Sequence, residues 1–371
     1  MKLGRTPLGG VAIGSVVLLS AVALAGCGSD KNNSKGGGPK QDTSAIKCEK
    51  GSLTSAGSTA QANAMAEWIK SYGTKCSGAQ INYGGGGSGA GIQQFSAGTV
   101  DFAGSDSALK DTEQPAADAR CKTGKAINLP MVPGPIAVVY NVSGVTSLNL
   151  KPATIAKIFA GKVKTWNDAA IKADNPGANL PGTPIQTFHR GDSSGTTDNF
   201  TSFLAATSAA DWTFAHDKVW KAPGGQGSQG SDGVSASIKS TDGSIGYVEY
   251  SFAKNNALNM AKVANGSGDF VELTPDNVAK AVGAAKVIGT GNDLKLQLDY
   301  ATTTKNAYPL LLVTYEIVCE KGTATDKLPL LKSFLDFAAS AKGQETLTTL
   351  GYAPLPSDIA TKVQDAIKSL S

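Results

Sequence analysis

The stretch Ile185-Gln186-Thr187-Phe188-His189-Arg190-Gly191-Asp192-Ser193-Ser194-Gly195-Thr196 changes its structural period part-way along. Ile185 to His189 reads as a strand. A loop of small polar residues follows, and Phe200, Phe203 and Leu204 then fall on one face of a helix. A strand, a glycine- and serine-rich turn and a helix start make up the repeating unit of an α/β protein. At such a helix start the unpaired backbone N–H groups and the helix dipole both favour an anion.

The same design recurs in both directions from this stretch. Ala56-Gly57-Ser58-Thr59-Ala60 precedes an amphipathic pattern over 60–72, with Met65, Trp68, Ile69 and Tyr72 at i, i+3, i+4 and i+7. Gly84-Gly85-Gly86-Gly87-Ser88-Gly89-Ala90-Gly91 follows a strand near Ile81–Tyr83 and precedes a helix near Ile92 and Phe95. Gly104-Ser105-Asp106 ends a strand over 100–103. Further along, Ile136 to Tyr140 suits a buried parallel strand, and Pro152 suits a first helical turn. Strands are expected at 245–249 and 310–318. The last helices are marked by Leu328, Leu331 and Leu335, then by Ile359, Val363 and Ile367.

The composition narrows the function. The chain has 371 residues, 17% of them charged, and a formal net charge of +4 with no block of one sign. Nothing in it points to nucleic acid. Only two histidines are present, which leaves little room for imidazole chemistry. The start reads as an address: Lys2 and Arg5, an apolar run from Val11 to Leu24, then Leu24-Ala25-Gly26-Cys27. This ending resembles a bacterial lipobox, which implies a signal peptide over 1–26 and membrane lipid on Cys27. Residues 27–45 are polar and expected to be a flexible tether. Cys48, Cys76, Cys121 and Cys319 remain, an even number that favours disulfides over a metal or redox site. Three pairings are possible. Cys48 with Cys76 and Cys121 with Cys319 is the favoured one, because the first two bracket one short unit.

Competing chemistry fits poorly. A nucleotide P-loop needs Gly-Lys-Ser/Thr after its glycines, and Ile92 and Gln93 stand there. A GxGxxG match on Gly84, Gly86 and Gly89 is weak, since four consecutive glycines satisfy many patterns. His189, Asp192 and Ser194 crowd one loop, whereas a catalytic triad is assembled from separate elements. No catalytic residue, metal or cofactor is expected. Arg190 is the expected partner of an anion, because a guanidinium forks onto phosphate oxygens. Asp192 is the expected support that orients it.

These segments, with Val100-Asp101-Phe102, Phe159 through Trp166-Asn167-Asp168, and Ile245-Gly246-Tyr247-Val248-Glu249-Tyr250, resemble the phosphate-binding subunit of the phosphate-specific (Pst) ABC transporter. The resemblance runs through nearly all of residues 50–360. It implies a two-domain α/β fold of the type II periplasmic-binding-protein kind, with a cleft between domains joined by two crossing strands. Residues 46–132 and 308–371 would form one domain and 133–307 the other. The implied phosphate contacts are Thr59, the backbone of Ala60, Ser88, Asp106, Arg190, Ser194, Gly195 and Thr196. Many relatives carry an aromatic residue where Ala60 stands.

The implied partners are inorganic phosphate, the permease and ATPase subunits of the transporter, and membrane lipid through Cys27. The expected protein is a monomer held on the outer side of the cell membrane. Asp106 is expected to select phosphate over sulfate. It accepts a hydrogen bond from a P–OH group, and against sulfate it faces only lone pairs. Sulfate, molybdate or a phosphate ester as ligand, and a surface role in adhesion or signalling, are the alternatives.

Overall fold

The computed structural model describes residues 46–371. The expected lipid site at Cys27 and the segments 1–26 and 27–45 lie outside the described residues. Nine strands form the main sheet: β1 (Gly51–Gly57), β2 (Ala79–Gly84), β3 (Phe102–Ser105), β4 (Ala126–Asn141), β5 (Gln186–Arg190), β6 (Gln226–Ser228), β7 (Ser244–Glu249), β8 (Asn259–Met260) and β9 (Leu311–Cys319). They run in the order β2-β1-β3-β9-β4-β7-β5-β6, with β8 beside β4. β1 pairs in parallel with β2 and β3, and β5 in parallel with β6 and β7. β4 and β9 run antiparallel to each other and to their other neighbours.

This is the expected mixed α/β architecture in two lobes, and β4 explains how one sheet serves both. Its first part, Ala126–Pro135, pairs with β9, and Ile136–Asn141 pairs with β7. Sequence reading assigns only 136–140 of it, since Pro130, Pro133 and Pro135 argue against a central strand, and expects it to be parallel. It is antiparallel to every neighbour, and its unbroken apolar run reflects burial on both faces, not strand direction. The prolines are tolerated where the strand changes partners. Pro133 and Pro135 stand opposite Val313 and Leu311, and a bulge between Thr314 and Tyr315 shifts the register near Pro130.

The helices follow the apolar stripes. Helix α1 (Ala62–Lys75) buries Ala64, Met65, Trp68 and Tyr72. Helix α2 (Ser88–Ser96) buries Ile92 and Phe95. Helix α3 (Pro152–Phe159) starts on its proline. Helix α4 (Gly195–Thr207) is capped by Ser194, whose Oγ accepts from Thr197 N at 3.3 Å. Helix α5 (Gly230–Ser240) follows β6, and α6 (Leu328–Ala339) and α7 (Ser357–Ser369) close the chain.

Two main cores result. One gathers Val138, Phe159, Trp166, Phe200 and Tyr247. The other gathers Leu53, Trp68, Phe102, Leu129, Phe334 and Val363. Leu294 and Leu296 pack with the second group although they precede β9 in the chain. The loop containing them therefore reaches over from one lobe to the other.

Cys48 is joined to Cys76 and Cys121 to Cys319, the favoured pairing. The second bond ties the end of β9 to a residue 198 positions earlier. Cross-linking so distant a pair removes much freedom from the unfolded chain. Replacing Cys121 and Cys319 together by Ala should cost about 2–4 kcal/mol of unfolding free energy, read from chemical denaturation. An unchanged midpoint would refute this.

Candidate functional site

The four loops singled out in the sequence converge at one buried point. Ser88 opens α2, and its Oγ accepts from Asp106 N at 3.1 Å and from Gly195 N at 3.1 Å. One hydroxyl thus joins the β2, β3 and β5 loops. Ser58, Ser88, Asp106, Arg190, Ser194 and Thr196 are all buried.

Asp106 is the centre of this arrangement. Its Oδ1 accepts from Ser58 Oγ and, at 2.8 Å, from Thr314 Oγ1 on β9. Its Oδ2 accepts from Thr196 Oγ1 on α4 at 3.0 Å. Burial pushes its carboxyl up from the ordinary value. The hydroxyls of Ser58, Thr314 and Thr196, and the charge of Arg190, pull the other way. Three donors on one carboxyl favour its ionised form.

Arg190 ends β5. Its Nε donates to Asp192 Oδ1 at 2.7 Å and its Nη2 donates to Asp192 Oδ2. Asp192 Oδ1 also accepts from Gly230 N at 3.1 Å, at the start of α5. The backbone of Arg190 is fixed as well, since its N–H donates to Tyr247 Oη at 3.3 Å. That phenol is set by Thr197 Oγ1 at 2.7 Å and by stacking of its ring on Phe200 at 4.1 Å.

Thr59 and Ala60 sit at the mouth of α1. Thr59 Oγ1 accepts from Ser231 N at 3.1 Å and lies 3.0 Å from Ser231 Oγ, on the opposite lobe. Ala60 N donates to Ser58 Oγ at 3.0 Å, and its carbonyl accepts from Tyr352 Oη at 2.7 Å. The lobes also touch where Gly89 N donates to Ser193 O at 2.9 Å. This is a closed arrangement.

The triad alternative finds no geometry. His189 Nδ1 lies 2.9 Å from Arg190 O and its ring stacks on Trp220 at 4.7 Å. Asp192 is held by Arg190, and Ser194 caps α4. Among the described residues no group of three or more His, Cys, Asp or Glu is placed to hold a metal ion.

The profile of the PBP superfamily domain matches residues 36–342. The phosphate-binding protein PstS 3 of Mycobacterium leprae is 42% identical over 376 residues, all of both chains. PstS 2 of Mycobacterium tuberculosis is 40% identical over 375 residues, again all of both. The chain belongs to the PstS family of this superfamily. Its fold is also that of a high affinity periplasmic phosphate-binding protein (PfluDING) solved with bound phosphate. That likeness has a TM-score of 0.71 at 24% identity, over 85% of this chain and 93% of the other.

Sequence reading misses three participants in the site of this PstS-family chain. Ser58 lies inside a recognised loop, yet its bond to Asp106 is tertiary. Ser231 faces Thr59 from α5, a helix start that follows no apolar strand run of the kind that marks the other loops. Thr314 is hidden in an apolar strand. There the signal exists, since Thr314 and Glu316 interrupt an otherwise apolar run.

Closure depends on Gly195. A Cβ there would lie 2.7 Å from both Asp106 Cβ and Ser88 Oγ. Gly195→Ala should oppose closure by about 1–3 kcal/mol, or about five- to 150-fold in population. Small-angle scattering should show a larger radius of gyration for this variant than for the parent chain under the same conditions. Equal radii would refute it.

Proposed function

We propose that this chain captures inorganic phosphate between its lobes on the outer side of the cell membrane and delivers it to an ABC import transporter. The observation that carries the reading is the hydrogen-bond inventory of Asp106. An ionised carboxylate offers about four lone-pair sites. Ser58 and Thr314 take two on Oδ1 and Thr196 takes one on Oδ2. One remains on Oδ2, and it can only receive a donor. A phosphate that still carries a proton supplies that donor, and sulfate does not.

The other side of the anion falls to donors. Asp192 engages Nε and Nη2 of Arg190, which leaves the rest of the guanidinium for phosphate oxygens. The start of α4 adds backbone N–H groups at Gly195 and Thr196 together with the dipole. The hydroxyls of Thr59, Ser88, Ser194 and Thr196 and the N–H of Ala60 complete the contact set. In the closed arrangement several of these groups bond across the cleft, and the anion takes over those bonds. A phosphate ester finds no space for its organic group where Gly195 packs on Asp106.

Residues 46–132 with 308–371, and 133–307, are the two lobes in this reading, and the loop around Leu294 and Leu296 reaches over the first. The chain acts as a monomer and performs no catalysis. Cys27 carries the lipid that holds it at the membrane, and the permease and ATPase subunits of the transporter are its partners.

Titration calorimetry of Asp106→Asn with phosphate and sulfate tests the assignment. The parent should prefer phosphate by about 10⁴ or more, and the variant should lose at least about tenfold of that preference. Unchanged discrimination would sink the role given to Asp106. Arg190→Lys keeps the charge but loses the fork held by Asp192. It should weaken phosphate about tenfold or more, and an unchanged affinity would remove Arg190 from the contact set.

A further inference from the structure

Directly behind Asp106 lies a second buried carboxyl. Glu316 on β9 is fully buried, and neither of its oxygens has a hydrogen-bond partner. Such a group is rare and costly when charged. Its surroundings are a built cavity in the sheet. Glu316 stands opposite Gly104 of β3 and opposite Leu129 of β4. Directly opposed residues of an antiparallel pair share a face, so Glu316 occupies the face on which Gly104 presents no side chain. A Cβ on Gly104 would lie 1.9 Å from Gln61 Nε2 and 2.7 Å from Tyr83 Oη. The missing methyl makes room for Gln61 from the mouth of α1 and Tyr83 from β2.

The polar wiring of this pocket is incomplete in one complementary way. Gln61 Nε2 donates to Tyr83 Oη at 3.1 Å, and Tyr83 Oη donates to Ser58 O at 2.6 Å. Gln61 Oε1, however, has no partner. An unpartnered carbonyl and an unpartnered carboxyl side by side are both satisfied if the carboxyl carries a proton and donates it. The titratable groups acting on Glu316 are Asp106, from the end of β3, and Tyr83, from β2; β4 contributes only Leu129. Burial pushes the Glu316 carboxyl up to about 8; the amide of Gln61 beside it pulls the other way, and the charge of Asp106 adds to the rise.

We propose that Glu316 is a positioning residue that acts through Asp106: it keeps its proton, donates it to Gln61, and so leaves the single negative charge of the pair on the carboxylate that reads the ligand. The division follows from the donors. Asp106 has three hydroxyls and faces Arg190, whereas Glu316 has only the side-chain amide of Gln61 beside it. Two neighbouring buried carboxyls that cannot both ionise leave the proton on the one with fewer donors. When Glu316 does ionise, a second negative charge appears behind the site. It repels the bound anion and forces Asp106 towards its protonated form, which no longer accepts from a P–OH group.

The inference rests on the phosphate reading above, and one experiment separates the two. Phosphate is titrated calorimetrically into the parent chain, Glu316→Gln and Gln61→Met at pH values from about 7.5 to about 9.5. Phosphate keeps at least one proton throughout this range. The parent should lose affinity about tenfold or more as pH rises, the equivalent of about one unit of coupling. In Glu316→Gln the decline should shrink by at least about threefold; what remains belongs to Glu249 at the end of β7, whose buried carboxyl is also pushed up to about 8 and also feels Asp106. Gln61→Met removes the acceptor of the Glu316 proton, so its decline should begin at lower pH. A flat profile in the parent overturns the proposal whatever the variants do. So does a decline unmoved in whichever of the two variants folds. Absence of phosphate binding at pH about 7.5 instead overturns the phosphate reading itself.

Discussion

The structure is organised around a carboxyl that is out of contact with water and is met there by three hydrogen-bond donors. Asp106 belongs to the end of β3, but its three donors come from the β1 loop, from α4 and from the crossing strand β9. Removing a carboxylate from water costs several kcal/mol unless its lone pairs are met. Each donor must therefore be delivered to within a few tenths of an ångström by a different element. This requirement links the order of the strands to the chemistry of the site. β3 and β9 must be neighbours for Thr314 to reach Asp106, and α4 must press against the end of β3 for Thr196 to do so. Gly195, with no side chain, allows that approach.

The second lobe meets the same demand with opposite charge. Arg190 is buried and could not stay so unpaired. Asp192 holds two of its nitrogens, and the N–H of Gly230 helps to hold Asp192. Tyr247 pins the backbone at Arg190, and Phe200 pins Tyr247. The apolar core of that lobe thus fixes the direction of a guanidinium. A lysine would need less support, and it would also define less, because its charge is a point and not a planar fork.

Much of this was legible in the sequence, for reasons that differ by element. α1, α2 and α4 show their buried stripes because each packs one face on the sheet. The loops around Ser88, Asp106 and Arg190 announce themselves because glycine and serine next to a strand end have few other uses. β4 was legible only in part. Three prolines mask it, and they are permitted where the strand leaves one lobe for the other, a condition no local pattern encodes. Thr314 and Glu316 could have been flagged as polar breaks in an apolar strand, but their partners Asp106 and Gln61 lie more than 200 residues away in the chain. Ser231 had no signal, since its bond to Thr59 exists only when the lobes meet.

Around the cleft that meeting is made from polar contacts, and their placement matters for a receptor that must open again. Away from the site the lobes are joined by Lys218 with Glu113 at 2.8 Å, Lys110 with Asp217 at 3.0 Å, and Ser107 Oγ donating to Asp198 Oδ2 at 2.7 Å. Lys110 and Asp217 are about one-third exposed, where an ion pair contributes roughly 0–1 kcal/mol. Lys218 is buried, so its attraction to Glu113 is largely offset by the cost of leaving water. Contacts of this kind align the lobes without locking them. The balance between open and closed is then left to whatever bridges Asp106 and Arg190. A ligand shifts such a balance only by its difference in affinity for the two states. An anion that touches both lobes when they are closed, and one when they are open, has that difference by construction. Had the cleft edges been apolar, closure would have been favourable without a ligand, and the closed form would carry no information for a transporter to read.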